Sequence, residues 1–332
     1  MPENHLKIVF FGTSDFAVPA LKSLLNFGYP IMAVVTQPEK PAGRLRVTMP
    51  SPVKKLALEN NIPTLEPHNL KNDEEFFKHF KHLNPDLCIV ASYGKIIPSR
   101  YLEIPKYGFI NIHPSLLPKY RGPSPIQTAI LNGDTETGVS IMLIDEQMDH
   151  GPILGITNYE LRITNYYKET EEELAKLGAE LLIDTLPKYI SGEIKPQEQN
   201  HSQATLTKMI TREDGHIDWN RPAEEIYNQI RALNPEPGTW TLLRQGSRLA
   251  KAYGGARVGG QSKTLNIKTA QTTDSDCGTK PHGLIEKLNN DIAVATKKCY
   301  LILKQIQLEG GKEMDAKSFV NGHPDFLSSI LE

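Results

Sequence analysis

The chain has 332 residues, a hydrophobic content of 39%, a charged content of 23% and a formal net charge of −2. This length allows two domains, because a single hydrophobic core stops growing at about 250–300 residues. The near-neutral charge excludes a global basic excess for binding nucleic acid, so any such function has to rest on local clusters. The three cysteines form no CxxC pair and no even disulfide set, which predicts a reducing, cytoplasmic location.

The apolar segments are too short for a membrane. No stretch reaches the roughly 18 apolar residues that a membrane helix requires. The first apolar run, Ile8–Phe11, ends at once in Gly12-Thr13-Ser14-Asp15, which is unlike the longer apolar region of a signal peptide. We therefore expect a soluble protein without a membrane partner.

The first half of the chain alternates short apolar runs with helical patterns. Lys7–Phe11 is typical of a buried strand, and the helix after it is predicted to be capped by Ser14 or Asp15 and to end before Gly28. Further strands are predicted at Ile31–Val35, Leu87–Ala91, Phe109–Ile112 and Val139–Ile144. Apolar strands alternating with helices indicate an α/β fold with a largely parallel sheet, in which sites form beyond the carboxyl ends of the strands.

The turn after the first strand excludes one common ligand class. It contains Gly12-Thr13-Ser14-Asp15-Phe16 and lacks the G-x-G-x-x-G through which a backbone approaches a pyrophosphate. The sheet is therefore predicted to bind a ligand other than a dinucleotide.

The second half of the chain changes pattern. A helix is predicted at 169–190, and the polar stretch 193–203 is typical of a linker. After another helix at 222–233, alternating runs predict a small β-rich domain, a barrel, with strands at Leu265–Lys268, Gly283–Lys287, Ile292–Thr296 and Tyr300–Ile306. The predicted organisation is a first domain at 1–190, a linker at 191–207 and a second domain at 208–332.

One strand end carries the strongest chemical signal. Asn111 and His113 are two residues apart on the strand, so their side chains are predicted to point to the same face, about 6–7 Å apart. Pro114 and Pro118 restrict the backbone of the loop that follows, which predicts a stiff site. The alternative is that Asn111 is a turn former and His113 a histidine satisfied at a strand end.

A carboxylate follows the next predicted strand. Asp149 comes after Val139–Ile144, and two neighbouring strand ends could bring it beside Asn111 and His113, where it would orient the imidazole and stabilise its positive charge. The alternative is a local Asx turn before Gly151. His150 follows Asp149 directly. The residues around it in the sequence are polar, and nothing in the sequence positions it for catalysis.

Two segments carry positive charge without any acid. The first runs from Lys40 to Leu58 and the second from Pro237 to Thr273. Such segments can be solvated faces, but in a chain of net charge −2 they also indicate the charge segregation that a phosphate backbone requires.

Longer motifs extend over nearly the whole chain. They are Phe11-Gly12-Thr13-x-Asp15-Phe16-Ala17, Thr36-Gln37-Pro38-x-x-Pro41-Ala42-Gly43-Arg44, Met49-Pro50-Ser51-Pro52-Val53-Lys54, Asn111 through Pro118 with Arg121-Gly122, Pro125-Ile126-Gln127, Asp134-x-x-Thr137-Gly138, Met148-Asp149-x-Gly151, Ile217-Asp218-Trp219, Arg231-x-x-Asn234-Pro235-x-Pro237-Gly238 and Gln307-Leu308-x-x-Gly311-Lys312-x-Met314. In these motifs the chain resembles the methionyl-tRNA formyltransferases, a branch of the 10-formyltetrahydrofolate-dependent formyltransferases. The Asn111–Pro118 motif is shared by that wider group and indicates the chemistry, whereas the Pro41–Arg44 loop and the second-domain motifs indicate the acceptor.

The resemblance implies a Rossmann-like formyltransferase domain followed by an OB-like barrel that contacts tRNA. It implies Asn111, His113 and Asp149 as the catalytic residues. The co-substrate 10-formyltetrahydrofolate, with no metal, would contact residues of two loops, namely Tyr93, Gly94, Ile97, Ser115, Leu116, Leu117 and Pro118. Residues with a role in tRNA binding would be Arg44 and Lys208, together with Arg46, Arg244 and Lys251 from the basic segments.

The expected function is transfer of the formyl group to the α-amino group of initiator methionyl-tRNA, in the cytoplasm, by a monomer. Departures from the family pattern at Leu45–Thr48, Gln147 and His150 leave Asn111, His113 and Asp149 unchanged. The alternatives are a formyltetrahydrofolate hydrolase, a sugar-amine formyltransferase, and a tRNA-binding protein with an inactive folate site. The first two would not need two acid-free basic segments.

Overall fold

The computed structural model describes residues 6–39, 41–42, 47–244 and 262–332. The chain divides into two compact units. The first contains Met1–Ile126, Glu136–Leu161 and Glu169–Lys208, and the second contains Gln127–Thr135, Arg162–Lys168 and Met209–Glu332. The stretch 191–207, predicted as a linker, lies within the first unit, whereas the predicted domain bounds stay a prediction.

Up to residue 190, strands alternate with helices. The elements are β1 (Ile8–Gly12), α1 (Val18–Asn26), β2 (Ile31–Val35), β3 (Pro41–Ala42), β4 (Val47–Thr48), α2 (Pro52–Glu59), β5 (Thr64–Leu65), α3 (Glu74–Leu83), β6 (Leu87–Ala91), α4 (Ser99–Leu102), β7 (Phe109–His113), α5 (Pro125–Leu131), β8 (Glu136–Leu143), β9 (Ile153–Glu160) and α6 (Tyr167–Ile190). The predicted strands and the helix at 169–190 are confirmed, with end shifts of up to three residues.

The first unit is built on a seven-stranded sheet in the order β5-β2-β1-β6-β7-β8-β9. The five strands from β5 to β7 are parallel, and β8 and β9 run antiparallel to their neighbours. Every residue of β1 and β6 is buried, because these strands lie in the middle of a sheet covered on both faces. The predicted α/β fold with a mostly parallel sheet is confirmed.

An aromatic cluster packs within a buried core beside the parallel strands β1, β6 and β7. The Phe11 ring centroid is 5.3 Å from that of Tyr93 and 5.5 Å from that of Phe109. Phe80 of α3 joins the same cluster, 6.0 Å from Phe11. Tilted and edge-on pairs at these distances are the favourable arrangements of aromatic rings, so the cluster gives β1, β6 and β7 a packed support.

The start of α1 differs from the prediction. A short 3-10 turn, Asp15–Ala17, precedes the helix, and the Ser14 side chain makes no capping hydrogen bond. Its hydroxyl instead donates to Ser92 Oγ at 2.7 Å, which joins the turn after β1 to the turn after β6. The helix ends as predicted, since Gly28 adopts a left-handed φ of 78° directly after the Phe27 cap.

Beyond residue 208, the described part of the second unit contains an antiparallel sheet and the helices α7 (Ala223–Leu233) and α8 (Ala316–Gly322). The strands are β10 (Thr239–Arg244), β11 (Ser262–Thr272), β12 (Ile285–Leu288), β13 (Asp291–Ala295), β14 (Tyr300–Leu308) and β15 (Met314–Asp315). The strand order is β10-β11-β14-β13-β12, with β15 paired to β14. Ile226 and Ile230 of α7 share a buried core with Leu265, Ile267 and Leu303 of the sheet. The predicted β-rich unit is confirmed, and its closure into an OB-like barrel stays a prediction.

In the part of the chain that the structure describes, no helix combines the length and the apolar character needed to cross a bilayer.

Candidate active site

Asn111, His113 and Asp149 lie together in the structure. Asn111 and His113 are on β7, and Oδ1 of Asp149 is 3.4 Å from Asn111 Nδ2 and 3.6 Å from His113 Nδ1. His113 is 4% exposed and Asn111 is half-buried. Both β7 side chains thus face one carboxylate, as the alternation of side chains along a strand predicted.

The path by which the chain brings Asp149 to this point differs from the expected one. Because β8 is antiparallel to β7, its last residue, Leu143, pairs with Ile110 near the start of β7. The expectation that two neighbouring strand ends bring the three groups together is therefore wrong. The loop 144–152 between β8 and β9 carries Asp149 back to Asn111 and His113.

The Asp149 carboxylate is held by distant backbone and not only by its own loop. Its Oδ2 accepts a hydrogen bond of 2.8 Å from the backbone N–H of Gly122, 27 residues earlier in the chain. Asp149 itself has a left-handed φ of 49°, which a non-glycine residue adopts only when its surroundings stabilise it. These contacts go beyond the local Asx turn that was the alternative interpretation.

The contacts of His113 assign its two nitrogens. Nε2 lies 3.0 Å from the carbonyl oxygen of Tyr120. A carbonyl can only accept, so Nε2 carries a proton and donates it to Tyr120. In the neutral ring Nδ1 is then the nitrogen with the free lone pair, and it is the one that lies 3.6 Å from Asp149 Oδ1. Nδ1 is therefore the atom through which His113 can gain or lose a proton in this site.

The loop after β7 is fixed by hydrogen bonds as well as by its prolines. Ser140 Oγ donates to the carbonyl of Ser115 at 2.7 Å and accepts from the N–H of Leu117 at 3.1 Å. Ser115 Oγ donates to the carbonyl of Lys119 at 2.6 Å. These hydrogen bonds support the prediction of a stiff loop, which stays a prediction. Ser140 was missed by sequence reasoning, because a lone serine within an apolar strand gives no signal.

The residues predicted to contact folate occupy two segments of the first unit. In the loop after β7, Leu117 is buried, whereas Leu116 and Pro118 are half-buried. In the loop after β6, the Tyr93 and Ile97 side chains are buried, and Tyr93 packs on Phe11.

Gln37 and Gly94 fix the loop after β6. Gln37 Nε2 donates to the Tyr93 carbonyl at 2.8 Å. Gly94 has a φ of 75°, which residues with a Cβ rarely adopt, and a Cβ there would lie 2.6 Å from Gln37 Nε2, so Gln37 would have to move. The folate contacts of these two loops stay a prediction.

The residues predicted to contact tRNA are described only in part. Arg44, Arg46 and Lys251 lie outside the described residues. Arg244 ends β10, and its side chain also lies outside the description. Lys208 is exposed, and its carbonyl accepts a hydrogen bond of 2.7 Å from Ser124 Oγ. The predicted tRNA contacts stay a prediction.

The acid-free segment Lys40–Leu58 is not a purely basic surface. Nζ of Lys54 lies 2.6 Å from both Glu39 Oε1 and Glu66 Oε1. These two carboxylates raise the pKa of Lys54, chiefly through their hydrogen bonds to its ammonium group. Lys54 is thus paired with acids from outside the segment, and its charge is not a free contribution to tRNA binding.

His150 is positioned, contrary to the expectation from sequence. Its Nδ1 lies 2.6 Å from Asp145 Oδ2, and its ring stacks on His201 with centroids 4.0 Å apart and an interplanar angle of 2°. His201 Nδ1 in turn lies 2.8 Å from Arg121 Nη2. Asp145 and His201 are therefore the residues that position His150.

A further polar residue beside the site is Gln199, in the stretch predicted as a linker. Its Nε2 donates to the carbonyls of Asp149 and Gly151, at 3.0 and 2.7 Å. Its Oε1 accepts from Arg121 Nε and Nη2, at 3.1 and 2.7 Å. Sequence reasoning missed Gln199, since a glutamine in a polar stretch gives the same signal whether it is exposed or buried.

Gly151 permits the close approach of its loop to β8. A Cβ at Gly151 would lie 2.0 Å from the carbonyl oxygen of Leu143, which is backbone and cannot move aside cheaply. We expect Gly151→Ala to displace the Asp149 loop, to lower the melting temperature by several degrees and to reduce turnover at least tenfold. Calorimetry and steady-state kinetics measure both effects. The control is Gly322→Ala at the end of α8, where the backbone is not left-handed and a Cβ has nothing within 4 Å. A Gly151→Ala variant that resembles this control would contradict the packing argument.

Among the described residues, no group of three or more His, Cys, Asp or Glu side chains has an arrangement that could hold a metal. Asn111, His113 and Asp149 supply an amide, an imidazole and a carboxylate. These groups can donate a hydrogen bond, move a proton and stabilise a positive charge.

Comparison with known protein families decides the class of the chain. Residues 6–186 match the family described as "Formyl transferase", and residues 209–324 match "Formyl transferase, C-terminal domain". The chain belongs to the formyl transferase family.

Relatives within the family cover the whole chain. A protein named "Methionyl-tRNA formyltransferase" from Caldanaerobacter subterraneus subsp. tengcongensis is 41% identical over 327 residues, which is 98% of this chain and 100% of the relative. One of the same name from Chloroflexus aurantiacus is 47% identical over 248 residues, covering 74% of this chain and 80% of the relative.

Solved structures of formyl transferases share the fold. WlaRD, a sugar 3N-formyl transferase crystallised with dTDP and 5-N-formyl-THF, has a TM-score of 0.61 at 20% identity and covers 90% of this chain and 96% of its own. The N-formyltransferase from Helicobacter canadensis, in complex with folinic acid and dTDP-3-aminofucose, has a TM-score of 0.61 at 18% identity, with coverage of 93% and 100%. At these identities the likeness concerns the fold alone.

Proposed function

We propose that the chain transfers the formyl group of 10-formyltetrahydrofolate to the α-amino group of initiator methionyl-tRNA, acting as a cytoplasmic monomer without a metal. The observation that carries this proposal is the 41% identity of the chain to a relative named "Methionyl-tRNA formyltransferase", over the full length of that relative. A match over both domains supports the acceptor as well as the chemistry, because the matched residues 209–324 lie outside the unit that carries the site.

The reaction requires a donor for an oxyanion, a group that relays a proton, and a negative charge that stabilises this group while it is protonated. The amine nitrogen attacks the formyl carbon, and the carbonyl oxygen becomes an oxyanion while the nitrogen becomes cationic. The new C–N bond is kept, the bond from carbon to folate N10 breaks, and N10 leaves with one proton. The amine thus loses one proton and N10 gains one, so a group that relays a proton balances the reaction.

Asn111 is suited to the oxyanion. Its Nδ2 carries two hydrogens, and only one of them can point at Asp149 Oδ1, 3.4 Å away. The other can donate to the developing oxyanion, a contact that is typically worth about 3–4 kcal/mol in the transition state.

His113 is suited to the proton. With Nε2 held by the Tyr120 carbonyl, Nδ1 can accept the proton of the cationic amine and deliver it to N10. The Asp149 carboxylate, 3.6 Å from Nδ1, stabilises the ring while it is charged. A positioned acid–base group of this kind typically contributes about 10²–10⁴ in rate. Folate would lie against the loops 91–98 and 114–117, opposite the attacking amine.

Each alternative function predicts a different experimental outcome. A hydrolase would release formate without an amine, and a sugar-amine enzyme would formylate a nucleotide-linked amino sugar. A tRNA-binding protein with an inactive folate site would bind tRNA without turnover. We expect none of these, because the identity to methionyl-tRNA formyltransferases is about twice that to the sugar enzymes of the same fold.

The experiment is a panel of acceptors with purified protein and 10-formyltetrahydrofolate. The acceptors are initiator methionyl-tRNA, elongator methionyl-tRNA, uncharged tRNA, a dTDP-linked amino sugar and water. We expect rapid formylation of initiator methionyl-tRNA, and an apparent affinity for tRNA that falls as salt is raised. Formate release at an equal rate without acceptor, or faster formylation of the sugar, would overturn the proposal.

A further inference from the structure

The turn that carries Asp149 is an unusual backbone segment for a residue that must be held accurately. Asp149 has a φ of 49°, a left-handed conformation that is uncommon for a residue with a Cβ. The carbonyls of Asp149 and Gly151 flank this conformation. If nothing bound them, the turn could relax and move the carboxylate away from Asn111 and His113.

A single side chain binds both carbonyls. Gln199 is 5% exposed, and its Nε2 donates to Asp149 O at 3.0 Å and to Gly151 O at 2.7 Å. The two hydrogens of its amide are thus used on the two carbonyls. Gln199 contacts neither carboxylate oxygen of Asp149, so any effect on the carboxylate acts through the turn.

Arg121 fixes the direction of the Gln199 amide. Arg121 is 7% exposed, and its Nε and Nη2 both donate to Gln199 Oε1. A guanidinium can only donate and a backbone carbonyl can only accept, so the amide has one satisfactory orientation. Rotating it by half a turn would set NH₂ against the guanidinium and the oxygen against two carbonyls. All four hydrogen-bonding positions of the amide are therefore filled in one arrangement only.

Arg121 also belongs to the backbone segment that contacts the carboxylate. The residue after it, Gly122, donates its N–H to Asp149 Oδ2 at 2.8 Å. Arg121 is held in turn by strand-like bonds, since its N–H donates to the Thr205 carbonyl and its carbonyl accepts from the Thr207 N–H. The segment 121–122 thus reaches Asp149 from two sides, through the Gly122 N–H on the carboxylate and through the Gln199 amide on the backbone.

We propose that Gln199, oriented by Arg121, is the positioning residue that holds the Asp149 turn in its catalytic conformation. The inference rests on the proposed function, because it assigns Gln199 a role in that reaction. Its effect is on turnover and not on substrate binding, since Gln199 acts on the backbone of Asp149.

Two substitutions separate this role from a merely structural one. Gln199→Glu keeps the size of the side chain and offers Arg121 a stronger partner, but it removes both donors to the turn and places an oxygen against two carbonyls. Gln199→Met removes the partner of Arg121 as well. If Gln199 only satisfied the buried guanidinium, the glutamate variant would behave as the wild type does. If it holds the turn, both variants fail.

The experiment compares Gln199→Glu and Gln199→Met with Gln203→Glu and Gln203→Met, matched changes at an exposed glutamine four residues later. Rates are measured with initiator methionyl-tRNA and 10-formyltetrahydrofolate, per molecule able to bind folate, so that a loss of folded protein is not counted. We expect kcat to fall about 10–100-fold in both Gln199 variants, with KM for both substrates within about threefold of the wild type. The Gln203 variants should keep the wild-type kcat.

Hydrogen exchange tests the same inference without turnover. The Gly122 N–H is protected by Asp149 Oδ2, so a displaced turn should raise exchange in peptides containing Gly122 in both Gln199 variants and in neither Gln203 variant. A Gln199→Glu variant with wild-type kcat and unchanged exchange at Gly122 would overturn the positioning role. A wild type that does not formylate methionyl-tRNA would instead overturn the proposed function, and the exchange comparison would still decide the role of Gln199.

Discussion

Replacing Asp149 with asparagine should reduce single-turnover formylation by about 10²–10⁴, the range typical of a lost acid–base group. The reason lies in the donors around the carboxylate. Oδ2 accepts from the Gly122 N–H, and Oδ1 faces Asn111 Nδ2 and His113 Nδ1. An asparagine has one oxygen for these two positions. If the oxygen of this asparagine accepts from the Gly122 N–H, its NH₂ group lies against Asn111 Nδ2 and His113 Nδ1. The NH₂ group then donates to the lone pair of Nδ1, so His113 cannot accept a proton there.

The control for this change is Asp184→Asn, which alters a carboxylate on the exposed surface of α6, where it pairs with Lys188. This variant should keep the wild-type rate. The melting temperature of Asp149→Asn should stay within a few degrees of the wild type, because the side chain keeps its size. A rate for Asp149→Asn within threefold of the control would exclude Asp149 as part of the catalytic group.

Replacing Asn111 with alanine should lower kcat by about 10²–10³, as expected for the loss of one oxyanion donor. KM for both substrates should change little, because the contact forms only as charge develops on the formyl oxygen. The substitution leaves His113 and Asp149 in place, since Asp149 keeps its hydrogen bond to Gly122. Steady-state kinetics with each substrate varied in turn separate the two parameters.

Asn158→Ala provides the matched control for Asn111. Asn158 is an exposed asparagine on β9, in the same sheet, and pairs with Gly138. Its replacement should leave kcat unchanged. An Asn111→Ala variant that raised KM and kept kcat would show that Asn111 binds substrate in the ground state, which contradicts an oxyanion role.

The parallel part of the sheet could be predicted from the sequence because its central strands are buried on both faces and are therefore continuous apolar runs. The predicted ranges Ile31–Val35 and Leu87–Ala91 coincide with observed strands. The shared direction of Asn111 and His113 followed from strand alternation, which depends on only three adjacent residues. Both predictions rest on local sequence.

The remainder of the site depends on contacts between residues far apart in the chain. The composition of an apolar strand does not indicate whether it runs parallel or antiparallel to its neighbour. The antiparallel pairing of β8 with β7, and therefore the loop that brings Asp149 to the site, could not be predicted. Gln199 lies 50 residues after Asp149 and 78 after Arg121, within a stretch whose composition is typical of a linker. The stacking of His150 on His201 could not be predicted for the same reason, because His201 lies in that stretch.

One measurement tests the proposed function most directly. The protein, in excess over initiator methionyl-tRNA, is mixed with 10-formyltetrahydrofolate labelled in the formyl carbon. The tRNA is then digested, and the terminal aminoacyl-nucleoside is analysed by mass spectrometry. We predict that the label appears on the methionine nitrogen in a single turnover, in the wild type and not in Asp149→Asn on the same time scale. Label that is released as formate, or that stays on folate, would contradict the assignment of this chain as an enzyme that formylates methionyl-tRNA.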